Sequence, residues 1–249
     1  LNENRVNIGN ISSQQMNVTY FGKFQPQWLH HKLTANQEYR LHFADRVYRH
    51  FFNGGVFDPD SCIKRFRYTS DQLDMAIIAE SARWGDVGVW PARNRVDDWI
   101  PAVNRVVNNY MPYRTGIVLN QLIDENLYMT LQPPLFKKNG IEITNYTMIL
   151  SSAYDFSVTN PNSGGTIYFT TDGTDPRAVG GAVSGSAEDG GSSKNISVLP
   201  GAHIKARIKD GTVWSALHEM FFLDAHLFNN LKVTELYYHP PDYLSLIHI

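Results

Sequence analysis

The sequence contains little of what would place it in several familiar classes of protein. It has one cysteine, Cys62, in 249 residues, so a disulfide bond within the chain is excluded. No apolar run reaches the length of about 18 residues that a membrane-spanning helix needs. The formal net charge of −2 gives no electrostatic basis for nucleic-acid binding. The G-x-S-x-G, H-E-x-x-H and C-x-x-C motifs are also missing. We therefore expect no membrane span and no nucleic-acid partner, and we find no complete catalytic motif.

What the sequence does contain is the composition of an ordinary globular protein of two parts. Hydrophobic residues make up 43% of the chain and charged residues 18%, which allows a packed core. A chain of this length can form two domains. Gln132-Pro133-Pro134 is the expected boundary, because a diproline stiffens the chain and prevents a helix from continuing. We expect residues 1–131 to be helical, residues 132–225 to be β-structure, and the diproline to be a hinge.

Helical periodicity and capping residues dominate the first part. Tyr39, Phe43, Val47 and Phe51 lie four residues apart behind a potential N-cap, Asn36. Further helices are expected to begin at Pro26, at Asp58, at the capping-box pattern Thr69-Ser70-Asp71-Gln72, at Asp97-Asp98 and at about Thr115. A short strand is expected at Met16–Phe21. Together these segments predict an α-helical subdomain.

The second part contains a strand that runs into a distinctive turn. Ile167–Thr171 is β-branched and aromatic, as expected of a half-buried strand. Asp172 and Asp175 can accept hydrogen bonds from downstream amides, Gly173 can adopt a positive φ, and Pro176 cannot donate to a ladder. We call Asp172–Pro176 the signature turn.

Other strands are expected on both sides of the signature turn. The segment from His203 to Lys209 alternates polar and apolar residues, which predicts one face in a core and one in water. The Gly- and Ser-rich segment 178–195 predicts a long flexible loop. The remaining predicted strands are Gly140–Ile143, Thr147–Ser151, Phe156–Thr159, Ile196–Leu199, Thr212–Ser215 and Glu219–Leu223. This spacing predicts an antiparallel β-sandwich.

The segment Thr166–Arg177 closely resembles the signature of the C-terminal β-domain of chitobiases and β-hexosaminidases, and Trp214-Ser215-Ala216-Leu217 is similar to the closing pattern of that family. The resemblance implies an immunoglobulin-like sandwich without catalytic residues. Trp214 is then a core or edge residue; a platform for stacking a sugar is the alternative. For Asp172 and Asp175, turn capping and a calcium site are the two interpretations.

Three segments of the first part, Glu38–Val47, His50–Gly55 and Ala79–Asp86, resemble the C-terminal part of CotH-family proteins, which are similar to spore-coat protein H. The resemblance implies an atypical protein kinase fold whose ATP- and metal-binding motifs lie upstream of Leu1. It also implies an extracellular or cell-surface location. This segment would then be inactive alone.

The most site-like residues of the first part surround Trp84. Glu80 lies one helical turn before it, and Arg83 and Asp86 flank it. A hinge, a contact with another part of the protein and a catalytic role are the alternatives. On the preceding helix, we expect Asp45 to lie on a charged, solvent-facing surface.

The end of the sequence suggests further, incomplete elements. Residues 226–243 include Leu231–Pro241, which resembles the first strand of a lamin-tail-type domain. Residues 244–249 resemble translated sequencing-adapter sequence, and we expect this end to be non-native.

Three functions remain open from the sequence. The first is a non-catalytic fragment of a secreted, multidomain CotH-like protein, with the sandwich as a spacer or accessory domain. The second is a carbohydrate-binding accessory module of a glycan-processing or cell-surface protein. The third is a CotH-type kinase with its ATP site upstream. Expected partners are neighbouring domains of the same chain and a glycan or cell-envelope polysaccharide; no cofactor or metal site is predicted.

Overall fold

A computed structural model describes residues 26–229, in which a helical region is followed by two β-sheets. The helices are α1 (Pro26–Leu33), α2 (Gln37–Phe51), α3 (Pro59–Trp84), α4 (Ile100–Arg105), α5 (Met111–Asp124) and α6 (Ala225–Asn229). Two π-helical turns, Arg95–Trp99 and Val106–Tyr110, flank α4. The predictions for Met16–Phe21, Leu231–Pro241 and residues 244–249 lie outside the described residues.

Helix α2 begins where the sequence predicts. The Asn36 side chain accepts hydrogen bonds from the backbone N–H groups of Glu38 and Tyr39, which an N-cap supplies to an otherwise unpaired first turn. The buried stripe differs from the predicted one, and consists of Leu41, Ala44, Val47 and Tyr48. This rotation follows from the position of α2, which packs against the β-region.

Helix α3 corrects the prediction of a helix start at Thr69. It runs without a break from Pro59 to Trp84, and Ser70 lies buried in its middle, where its hydroxyl donates to the Arg67 carbonyl. A Ser in mid-helix can bond back to the preceding turn in this way. Asp58 caps the helix as predicted, and Gly85 follows its last residue.

The later helix starts also differ from the prediction. Asn94, rather than Asp97-Asp98, caps the next helical segment, because its side chain accepts from the amides of Val96 and Asp97. Helix α5 begins at Met111 instead of Thr115.

The strands form two sheets. They are β1 (Leu135–Lys138), β2 (Ile141–Glu142), β3 (Thr147–Leu150), β4 (Tyr154–Thr159), β5 (Thr166–Thr170), β6 (Glu188–Gly191), β7 (Ser193–Val198), β8 (His203–Asp210), β9 (Val213–Trp214) and β10 (His218–Asp224). One sheet has the order β2-β1-β4-β7, and the other has the order β3-β10-β8-β5-β6 with β9 paired to β8.

Two features of these sheets were not predicted. Strands β3 and β10 pair in parallel, so the second sheet is mixed rather than antiparallel. Strand β6 lies within the segment predicted to be a flexible loop and pairs with β5. Gly190 allows this pairing, because a Cβ there would lie 3.2 Å from Ile167 Cβ.

Both sheets contribute to one apolar core. Phe136, Phe156 and Val158 come from the first sheet, and Phe169 and Phe222 from the second. Alternating inward-facing side chains produce this arrangement, since successive residues of a strand point to opposite faces. The fold is therefore α + β. No helix within residues 26–229 is both long and apolar enough to cross a bilayer.

A second, smaller core joins the helical region to the β-region. Ala44 and Val47 of α2 pack in one cluster with Leu122, Tyr128 and Ala216. Pro133 and Pro134, between the two regions, are both buried. The diproline is therefore buried, with His218 of β10 lying 2.7 Å from the Pro134 carbonyl oxygen, and the hinge at this position stays a prediction.

Candidate functional site

The candidate site is a group of buried ionic hydrogen bonds centred on Arg207, in the middle of β8. Its side chain has no solvent exposure. Nε and Nη2 donate to the carboxylate of Asp175 at 2.8 and 2.7 Å, while Nη1 and Nη2 donate to that of Asp45, both at 2.7 Å. Nη1 also donates to the Ser215 carbonyl at 3.0 Å. All five N–H donors of the guanidinium group are thus used. We call Arg207, Asp45 and Asp175 the Arg207 cluster.

The Arg207 cluster joins three separate segments of the chain. Asp45 comes from α2, Asp175 from the signature turn and Arg207 from β8. The Asp45 carboxylate also accepts from the backbone N–H of Leu217 at 2.8 Å. Paired forks of this kind are the strongest geometry available to guanidinium and carboxylate groups.

The electrostatics of the Arg207 cluster favour the charged forms of its members. Burial raises the pKa of Asp175, but the hydrogen bonds and charge of Arg207 outweigh it, so the pKa lies below its usual value. Burial lowers the pKa of Arg207, and the two carboxylates more than compensate and raise it. A carboxylate held in this way is a poor proton acceptor at neutral pH. The geometry is that of a structural cluster.

A second ion pair lies beside the first. Arg177, which follows the signature turn, is almost fully buried and donates to both carboxylate oxygens of Glu38 at 2.6 and 2.8 Å. Glu38 also accepts from the backbone N–H of Gly180. The hydrogen bonds from Arg177, followed by the one from Gly180, lower the pKa of Glu38 to about 2. These hydrogen bonds hold the N-terminal end of α2 against the loop that follows the signature turn.

The third contact between α2 and the sheet involves Arg49. It donates to Glu219 of β10 at 2.5 Å, and Glu219 also lies 3.1 Å from Nε2 of His203. We expected Asp45 to lie on a charged, solvent-facing surface. That expectation is wrong, because Asp45 pairs with Arg207 of the β-region and its side chain is only 13% exposed.

His218 is a buried titratable group that contacts Tyr48 of α2. Its Nδ1 lies 2.7 Å from the Pro134 carbonyl oxygen, and Nδ1 is therefore the donating nitrogen. Nε2 lies 3.3 Å from Asn53 Nδ2, and Tyr48 Oη lies 3.3 Å from Nδ1. Burial lowers the pKa of His218 to about 4, against the opposing effect of the Pro134 carbonyl. The imidazole is thus neutral at physiological pH.

A groove of about 620 Å³ runs along the junction, and its lining includes Arg40, Tyr128, Arg177 and Trp214. Within residues 26–229, Tyr128 Oη and Arg177 Nε are buried without a hydrogen-bond partner. Both atoms are shielded from solvent, so a molecule resting in the groove would touch other atoms of these residues.

The signature turn adopts the conformation predicted from its residue types. The Asp172 carboxylate accepts from the N–H and hydroxyl of Thr174, and Asp175 accepts from the N–H of Arg177. Gly173 has φ +81°, and a Cβ there would lie 2.6 Å from His203 Nδ1. Pro176 is buried. The carboxylates of this turn are therefore occupied by protein donors, which favours turn capping over a calcium site.

Trp214 is a core residue. Its side chain is 4% exposed, Nε1 donates to the Gly181 carbonyl at 2.9 Å, and the ring centroid lies 5.8 Å from that of Tyr168. A sugar-stacking platform needs an open aromatic face, and Trp214 does not present one.

The residues around Trp84 lie apart from the Arg207 cluster. Glu80, Arg83 and Trp84 lie at the C-terminal end of α3, and Asp86 lies two residues beyond it. Glu80, Arg83 and Asp86 are exposed, and the Arg83 guanidinium lies 4.9 Å from the ring centroid of Trp84. Trp84 is 53% exposed. No group of three or more His, Cys, Asp or Glu residues within 26–229 has the geometry to hold a metal ion.

Sequence reasoning missed Arg207, because it lies at a polar position of an alternating strand that was predicted to face water. In the structure that position faces α2 and is fully buried. A usable signal was present: Arg207 is the one arginine between Lys205 and Lys209, and arginine is favoured over lysine in buried ion pairs.

The Arg207 cluster joins residues from the two resemblances. Asp45 belongs to Glu38–Val47, which resembles CotH-family proteins, and Asp175 belongs to Thr166–Arg177, which resembles the chitobiase C-terminal domain. Comparison of the chain with protein-family models, with curated proteins and with solved structures found no match.

Proposed function

We propose that residues 26–229 form a non-catalytic accessory unit, in which the β-region is a spacer held rigidly against a helical region. The observation that carries the proposal is the Arg207 cluster, in which all five guanidinium donors are bonded to Asp45, Asp175 and Ser215. Groups so fully engaged have no capacity left for a substrate. Their use is to fix the orientation of one region relative to the other.

The resemblances to CotH-family proteins and to the chitobiase C-terminal domain suggest the kind of protein in which this unit occurs. They suggest a secreted or cell-surface multidomain protein in which the two sheets are an immunoglobulin-like sandwich. Support for a sandwich comes from the single apolar core that both sheets share. Support for a spacer comes from Asp172, Gly173 and Asp175, whose contacts are all within the protein.

The first experiment tests whether the chain itself contains a nucleotide-binding site. The chain of 249 residues is heated with ATP and Mg²⁺, and its melting temperature is compared with that of the protein alone. We expect no change. A ligand at 100 times its Kd would stabilise the native state by about 2.7 kcal/mol, equivalent to a rise of roughly 5–10 °C for a chain of this size. A rise of that order would contradict the proposal.

The second experiment tests carbohydrate binding. We expect the folded chain to pass through a chitin column without retention, because Trp214 is buried. Retention of the wild type that is lost in a folded Tyr168→Ala variant would overturn the spacer proposal in favour of a carbohydrate-binding module. Circular dichroism of the variant, which must match that of the wild type, is the control for folding.

A further inference from the structure

Helix α3 has one face turned toward the protein and one turned away from it. Less exposed residues lie four, four and three apart along the inner face, at Phe66, Ser70, Asp74 and Ile77. On the opposite face Tyr68 is 69% exposed and Met75 is 73% exposed. In water, a helix with apolar side chains on both faces is usually covered on both.

A line of exposed, uncharged residues runs along the outer face. Ala79 and Ala82 continue the line of Tyr68 and Met75 at intervals of seven, four and three residues, and all four are exposed. This is the spacing of a seam at which two helices pack side by side. The helix has 26 residues, a length of about 39 Å.

Charge is distributed unevenly along α3. Its N-terminal half, residues 59–70, has one acidic residue, Asp60, and three basic ones, which are Lys64, Arg65 and Arg67. The net charge of that half is +2. Its C-terminal half, residues 71–84, has three acidic residues and one basic one, which are Asp71, Asp74, Glu80 and Arg83. The net charge of the C-terminal half is −2. One of its three carboxylates, that of Asp74, is paired with Arg95.

We propose that the outer face of α3 binds a second copy of this chain, with the two α3 helices antiparallel. This occupant follows from the charges, since an antiparallel copy places each basic half beside an acidic half, whereas a parallel copy would place like charges together. A two-fold axis relates the copies, as in most homodimers.

The same arrangement also matches the apolar residues. The midpoint of α3 lies between Asp71 and Gln72, and Tyr68 and Met75 are equally far from it on either side. Full antiparallel overlap therefore places Tyr68 opposite Met75 of the partner subunit, and the reverse. A methionine sulfur against an aromatic ring is a favourable pair.

The first test measures the mass of the native chain by sedimentation equilibrium and light scattering. We expect a dimer for the wild type and a monomer for Met75→Glu, with the same circular dichroism. Val179→Glu is the matched control, because Val179 is 90% exposed but lies outside α3, and it should remain dimeric. A monomeric wild type overturns the proposal and assigns the face to a different partner. A dimer that Met75→Glu leaves intact overturns it as well.

The second test uses charge exchange. The double variant Lys64→Glu, Arg67→Glu has an acidic α3 throughout, and the double variant Asp71→Lys, Glu80→Lys has a basic one. We expect each to be monomeric alone and an equimolar mixture of the two to form a heterodimer. If the mixture also stays monomeric, charge does not set the pairing and the antiparallel proposal is wrong.

A third test fixes the register. In a Cys62→Ala background, Gln72→Cys lies next to the two-fold axis, whereas Ser61→Cys lies about 31 Å from its counterpart at a rise of 1.5 Å per residue. Mild oxidation should link the Gln72→Cys chains covalently and leave the Ser61→Cys chains unlinked. The opposite pattern would contradict the antiparallel overlap.

Discussion

At the scale of single residues, burial determines what each ionisable group can do. Arg207 stays charged inside the protein because two carboxylates and a carbonyl replace its water. Among residues 26–229, no carboxylate is bonded to the ring of His218, which accordingly stays neutral, with its pKa lowered by burial to about 4. The same burial therefore has opposite outcomes in the two groups.

The pKa of His218 predicts how stability depends on pH. The folded value of about 4 lies below the unfolded value of 6.5, so the unfolded chain binds more protons between these two values. The stabilisation is complete above pH 6.5 and is lost as the pH falls toward 4. The expected loss is about 3 kcal/mol over that window. Urea unfolding at intervals between pH 7 and pH 4 measures it.

A variant at His218 provides the control for this measurement. His218→Gln should be less stable at pH 7 but should lose less stability on acidification, because it has no buried imidazole to protonate. Glu38 contributes little in this window, because its pKa is 4.5 in the unfolded chain and about 2 in the folded one, so most of its effect falls below pH 4. A wild type equally stable at pH 6.5 and pH 4 would show that His218 is not held neutral.

At the scale of elements, the signature turn depends on a glycine for two reasons. Gly173 has a positive φ, and the space where a Cβ would sit is occupied by the His203 ring. We expect Gly173→Ala to destabilise the protein by about 1–3 kcal/mol. Gly180→Ala is the matched control, because Gly180 has φ +88° with nothing within 4 Å, and it should cost less. Equal losses in urea unfolding would mean that the His203 contact contributes nothing.

Some of these elements could be predicted from the sequence and others could not, for physical reasons. Asn36, Asp58 and Gly173 were predictable because the signals for caps and turns are local. The break at Thr69 was wrong because Ser and Asp residues also occur within helices, where tertiary contacts decide. Arg207 could not be found from alternation, since alternation does not reveal what covers the outer face of a sheet. The two resemblances remain predictions.

At the scale of the whole molecule, three ion pairs and one apolar cluster fasten α2 to the β-region. We therefore expect residues 26–229 to unfold in one transition, with far-ultraviolet and near-ultraviolet circular dichroism changing together. Arg207→Ala leaves Asp45 and Asp175, which are partly buried, without their counter-charge and should cost about 3 kcal/mol.

An exposed arginine on the same helix serves as the reference for that variant. Arg46→Ala removes an equal charge from α2 at a solvent-facing position and should change stability by less than about 0.5 kcal/mol. Separate transitions in the wild type, or a similar loss for both variants, would indicate that the two regions are independent.

The Arg207 cluster also has a consequence for synthesis on the ribosome. Arg207 follows Asp45 by 162 residues, which at 5–20 residues per second takes about 8–32 s to translate. During that interval α2 has neither its counter-charge nor its apolar support from Ala216. The nascent helical region is then exposed to chaperones and proteases until β8 emerges, and slowing translation within that interval should lower the yield of folded protein.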